Sequence, residues 1–118
     1  MKPVRSNAPV FWAMFGAGGM LAALFGPMLV LITGVLAPLG VLSMSYGRML
    51  RLAQHPAGKA LLFAIISLFA WHAAHRIFHS LHDIGVRTTA WARLACYGTA
   101  LTMTLGAAVA LLMIGFPA

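Results

Sequence analysis

The sequence predicts an all-α membrane protein with three transmembrane helices, and three observations carry that reading. Of its 118 residues 62% are hydrophobic and 8% are charged, with a mean hydropathy of +0.94. A soluble domain is about 45–50% apolar and about 25% charged, and a globule this small cannot hide the excess. The apolar residues also run on without interruption, with no formal charge between Ser6 and Gly47. Such runs suit spans of roughly 20 residues and not the alternating strands, about ten residues long, of a membrane barrel. The length accommodates three spans with short loops in a single domain over residues 1–118, and leaves no room for an ordinary soluble enzyme domain.

Lys2 and Arg5 resemble the positive start of a secretory signal, but the apolar run that follows is longer than the 7–15 residues of such a signal. It reads as a retained helix, from about Val10 to Leu36. Pro9 suits a helix entry, where its missing N–H is no loss. Pro27 should kink the span, and Pro38 and Gly40 should end it. The cluster Gly16-Ala17-Gly18-Gly19 permits the close backbone approach favoured between membrane helices.

Ser43 to Pro56 forms a connection in which Arg48, Arg51 and His55 alternate with Tyr46, Met49, Leu50 and Leu52, a pattern suited to a short amphipathic segment in the headgroup layer. The second span runs from about Gly58 to Asp83, apolar as far as Trp71 and polar thereafter, with Gly85 as its stop. The third runs from about Ala92 to Phe116. Trp12, Trp71 and Trp91 fall near span ends, as interfacial belts have them. The lone Cys96 sits in an apolar stretch and reads as packing.

Eight Lys and Arg face one acid, Asp83. In a soluble chain such an excess suggests nucleic acid; here the charges flank apolar runs and read as topology signals, with no nucleic-acid partner. A cytoplasmic N-terminus puts Lys2, Arg5, Arg76, Arg87 and Arg93 inside against Arg48, Arg51 and Lys59 outside. The C-terminus is then periplasmic.

The chemistry gathers at one helix end. At about 100° per residue, His72, His75, His79 and His82 share an arc of roughly 80°, with Arg76 and Asp83 beside it. Charged groups at membrane depth cost about 2.5–3.5 kcal/mol each on insertion scales and are usually turned inward, paired or functional. Three readings compete. The face is an interfacial polar end with Asp83 paired to a neighbour; or it supplies an axial haem ligand whose partner ligand comes from another chain; or it is a quinone site, with donors for the carbonyls and a side chain that titrates near neutrality. Antiparallel geometry puts Trp12 and Gly16 at the depth of His75 and Arg76, one as an aromatic wall with an indole donor, the other as space for a ring or its tail. A small homo-oligomeric transporter or pore is the competing class. The spans carry no acid at mid-depth, which such proton-coupled proteins usually need.

The stretches Pro9-Val10-Phe11-Trp12-Ala13-Met14-Phe15-Gly16-Ala17-Gly18-Gly19-Met20 and His75-Arg76-Ile77-Phe78-His79-Ser80-Leu81-His82-Asp83 resemble the two signature segments of the D-type subunit of bacterial fumarate reductase, a hydrophobic membrane anchor, and the likeness extends over nearly the whole chain. The resemblance implies three transmembrane helices with the N-terminus cytoplasmic, in the bacterial inner membrane. It implies partnership with a second, C-type hydrophobic anchor, a flavoprotein and an iron–sulfur protein in a menaquinol:fumarate reductase of anaerobic respiration. It implies a quinol site near the cytoplasmic face, to which this chain contributes Trp12, Gly16 and Arg76, with His75 alongside. It further implies that the chain itself carries no catalytic fumarate site, metal, haem, flavin or iron–sulfur cluster. A haem-b-ligating anchor of a succinate dehydrogenase is the alternative within this class. Two positions depart from the family pattern. Phe78 stands in place of a histidine and His72 in place of a small or sulfur-bearing residue, which takes both out of a shared mechanism.

Overall fold

In the computed structural model residues 8–117 are described. Lys2 and Arg5, on which the charge tally leans, lie outside them. The described residues fold into helices joined by turns. Helix α1 spans Ala8–Leu31 and passes into a π-helical turn over Ile32–Leu36; α2 spans Tyr46–Gln54, α3 Pro56–Asp83 and α4 Ala90–Met113. Three of these, α1 with its π turn, α3 and α4, are long and apolar enough to cross a membrane. The all-α class and its three membrane-length helices therefore agree with the sequence reading.

The helix ends follow local chemistry. Helix α1 runs on through Pro27. Its π turn closes with Ala37 N–H donating to the Ile32 carbonyl at 2.9 Å, and Gly40 then adopts φ +72°, a left-handed conformation that glycine takes without penalty. Ser45 caps α2 by accepting from Arg48 N–H. Helix α3 begins earlier than expected, at Pro56, because proline fits the first helical position and His55 Nδ1 accepts from Ala57 N–H as the N-cap. It ends at Asp83, with Gly85 at φ +80°. Helix α4 starts at Ala90, where Thr89 accepts from Ala92 N–H, and stops at Met113, short of the expected Phe116. The stop is Gly115, at φ +77°.

Helix α3 is the middle element, packed against α1 on one side and α4 on the other, with α2 folded onto its start. Helices in lipid gain little from the hydrophobic effect, so contacts favour small residues that let backbones approach. Buried Ala70, Ala74 and Ala100 form the α3–α4 seam, with Trp71, Cys96 and Tyr97 packed on it. On the α1 side, a Cβ on Gly18 would lie 2.5 Å from the Leu68 carbonyl oxygen and 2.9 Å from His72 Cβ. Gly58 meets the Leu52 carbonyl in the same way, which seats α2 on α3.

Polar contacts tie α3 to α4 along its length. Trp71 Nε1 donates to Thr104 Oγ1 at 3.1 Å, so this tryptophan serves the bundle interior and not the interfacial belt expected of it. Trp12 and Trp91 are exposed. Lys59, read from sequence as a surface charge, is only 8% exposed. Its Nζ donates to the carbonyls of Leu111 and, at 2.7 Å, of Gly115, and it lies 4.8 Å from the centroid of the Phe116 ring. The last carbonyls of α4 lack intrahelical partners, and a cation there also opposes the negative end of the helix dipole.

Gly18→Leu should force α1 and α3 apart at a cost of about 1–3 kcal/mol, read as a lower unfolding midpoint in detergent. Gly26→Ala is the control, because a Cβ there meets nothing within 4 Å. Equal stability of the two variants would refute the close-approach account.

Candidate functional site

The polar end of α3 does not present its histidines as one face. His72 turns toward α1. Its ring stacks on Phe15 with centroids 4.7 Å apart, its Nδ1 lies 3.1 Å from the Phe15 carbonyl oxygen, and it fills the space left by Gly18 and Gly19. His75, one helical turn on, is half-buried between Phe15 of α1 and Tyr97 of α4, with 2.8 Å between its Nδ1 and the Tyr97 hydroxyl. His79 is exposed and lies with its ring centroid 4.3 Å from that of His75. His82 and Asp83 are exposed at the helix end. The arc inferred from helical periodicity therefore divides: His72 is used in joining α1 to α3, while His75 and His79 remain a contiguous pair.

Trp12, Phe15, His75, Arg76 and His79 line one open groove of about 330 Å³ between α1 and α3. Three of the four residues singled out from sequence, Trp12, His75 and Arg76, thus meet across one space. Trp12 is 71% exposed and Arg76 is exposed as well, so indole and guanidinium donors are free to meet a ligand. Phe15 packs edge-on against Trp12, with centroids 6.1 Å apart, and makes the apolar floor. Gly16, the fourth residue, does not line the groove but follows Phe15, and a Cβ there would meet nothing within 4 Å. Behind His75 lies a second cavity of about 250 Å³ lined by Met14, Phe15, Trp71, His75 and Tyr97.

The groove offers a flat aromatic wall, a delocalised cation and two imidazoles at the end of a membrane span. Among the described residues no group of three or more His, Cys, Asp or Glu is placed to hold a metal ion. What such a site can do is accept a planar, weakly polar ring with hydrogen-bond acceptors at its edge, and exchange protons with it near water.

Two residues of this region do not stand out in the sequence. Phe15 sits there as part of a glycine-rich run, and Tyr97 lies within an apolar span. Tyr97 is the one residue of the third span that combines an aromatic ring with a hydroxyl, and that chemistry is the available signal. Its pairing with His75 depends on the rotation of α4 about α3, which spacing within α4 does not encode.

Fold and site together define a small multi-pass membrane protein with a polar, aromatic groove at one end of its central helix. Comparison with known proteins narrows this to one family. The model of the fumarate reductase D-type subunit family matches residues 2–112. The chain is 40% identical over 116 residues to the D-type fumarate reductase subunit of Vibrio cholerae, covering 96% of this chain and 89% of that protein. It is 38% identical over 117 residues to the corresponding subunit of Aliivibrio salmonicida, covering 97% and 98%. With that of a Shewanella species it is 39% identical over 111 residues, covering 92% of both. The chain belongs to the family of D-type fumarate reductase subunits.

Proposed function

We propose that this chain anchors the flavoprotein and iron–sulfur subunits of a menaquinol:fumarate reductase to the bacterial inner membrane, beside a C-type hydrophobic anchor, and contributes to the quinol site of anaerobic fumarate respiration. The observation that carries the reading is the groove where Trp12 and Arg76 meet beside the His75–His79 pair. It lies at the end of a 28-residue helix, about 42 Å long at 1.5 Å per residue. A hydrocarbon core is about 30 Å thick, so one end of α3 can reach the headgroup layer. A redox partner docked on that surface would be within reach of a ring bound there.

The residues fit the group. Menaquinol supplies two electrons and two protons when it is oxidised. Trp12 and Phe15 would give a flat ring an aromatic wall and floor. Arg76 donates from a fixed fork to an oxygen acquiring negative charge, and the Trp12 indole donates to the ring oxygens or to ordered water. The free nitrogen of His75 is placed to take or give a proton, and His79 beside it leads toward the exposed helix end. Gly16, beside the groove and with open space around it, would leave room for the ring's edge or the start of its tail. The fumarate site, the flavin and the iron–sulfur clusters belong to the partner chains in this reading. Large apolar side chains such as Leu24, Val30, Leu101, Val109 and Leu112 remain exposed along α1 and α4, as surfaces for lipid and for the partner anchor require.

The proposed orientation places the α3 C-terminal end, with Arg76, Arg87 and Arg93, in the cytoplasm. The interior pairing of Lys59 leaves Arg48 and Arg51 on α2 as the surface cations of the far side, within the described residues. An alkaline phosphatase fusion at the C-terminus should be active in the periplasm and one placed after Gly85 inactive; the opposite pattern inverts the topology.

Affinity purification in mild detergent should bring down a flavoprotein, an iron–sulfur protein and a second hydrophobic chain. Recovery of a homo-oligomer alone would favour the transporter or pore class. A haem absorbance band arising from this chain would favour the succinate dehydrogenase type of anchor.

Arg76→Leu should slow quinol oxidation about tenfold or more, as expected for loss of a charge-assisted hydrogen bond. Fumarate reduction by a soluble dye should continue. Full quinol turnover in that variant would remove Arg76 from the site.

A further inference from the structure

We propose that Tyr97 is a positioning residue for the quinol site, acting through His75. The inference rests on the quinol-site reading above and adds a residue from α4, an element outside the groove. Phe15 and His75 line both the groove and the cavity behind it that Tyr97 and Trp71 share, and His75 is the polar one of the two. Its ring therefore bridges the two spaces. The Tyr97 hydroxyl and His75 Nδ1, 2.8 Å apart, make a hydrogen bond that occupies one ring nitrogen. That leaves Nε2 as the nitrogen available to the groove. A histidine with one nitrogen engaged has its ring orientation set by that bond, and a phenol hydroxyl, a better donor than acceptor, favours the tautomer in which Nδ1 accepts.

Tyr97 is itself held. Its ring lies 6.1 Å from that of Trp71 and 5.6 Å from that of Phe78, and Trp71 is pinned by Thr104. Phe78 in turn lies under the Arg93 guanidinium, 5.7 Å away. The hydroxyl is thus fixed by packing against Trp71 and Phe78, one turn before and one turn after His75 on the same face of α3, and it transmits that rigidity to the imidazole. Phe15 closes the other side of His75 with centroids 4.5 Å apart. Without the Tyr97 hydroxyl the ring keeps its packing but loses the contact that selects between its two nitrogens.

The test is a double-mutant cycle in the membrane-bound complex, with Tyr97→Phe, His75→Gln and the pair. Retention of the flavoprotein on membranes serves as the assembly control. Tyr97→Phe keeps the ring and should lower kcat/KM for quinol about threefold to tenfold, the worth of one hydrogen bond. Because it acts through His75, adding it to His75→Gln should change nothing further. In complex labelled with 15N-histidine, the pair of imidazole nitrogen signals that His75→Gln abolishes should report one dominant tautomer. Tyr97→Phe should shift them toward a mixture. Multiplicative effects of the two substitutions, unchanged nitrogen signals, or a Tyr97→Phe complex at full speed beside a slow His75→Gln complex would overturn the role of Tyr97 while leaving the quinol site standing. A His75→Gln complex as fast as the wild type would overturn the placement of His75 in that site, and the role of Tyr97 with it.

Discussion

A helix in hydrocarbon satisfies its own backbone but gains almost nothing by burying leucine against leucine, since lipid tails are as apolar as the side chains. The whole molecule is arranged around that shortage of driving force. Among the described residues no large side chain is fully buried. The bundle is held instead by backbones brought close at Gly18 and at the Ala70, Ala74 and Ala100 seam, and by a few polar side chains that cross between helices. Interhelical hydrogen bonds measured in a membrane protein average only about 0.6 kcal/mol each. Several are therefore needed, and α3 makes them with both neighbours.

The same economy shapes the candidate site. Polar residues that would serve a ligand and polar residues that hold helices together stand one turn apart on α3. His72 and Trp71 are committed to α1 and α4, while Arg76 and His79 remain open. His75 belongs to both groups, packed against α1, bonded to α4 and lining the groove. A site built this way inherits its rigidity from the helix contacts.

What can be read from the residues is whatever depends on local pattern. Apolar runs locate the three membrane-length helices, glycines at 40 and 85 mark their stops, and the alternation of Arg48 and Arg51 with apolar residues marks α2. Helical spacing brings the histidines near Arg76, and antiparallel depth brings Trp12 toward them. The rest depends on how each helix is rotated about its axis. That rotation sends His72 into the α1 contact and turns Tyr97 toward His75, and no periodicity within one helix encodes it. Lys59 misleads for a related reason. Its charge looks like a surface signal until α4 brings its terminal carbonyls alongside. The stop at Gly115 is hidden because Ile114 and Phe116 extend the apolar run on both sides of it.

Lys59 also bears on how the chain is made. During synthesis α3 precedes α4, so the ammonium group must stay with water or headgroups until the last turn of α4 arrives. Only then do the Leu111 and Gly115 carbonyls take it in. The helical hairpin is thus completed by the end of α4, and a chain cut short before it carries an unpaired cation at the membrane boundary.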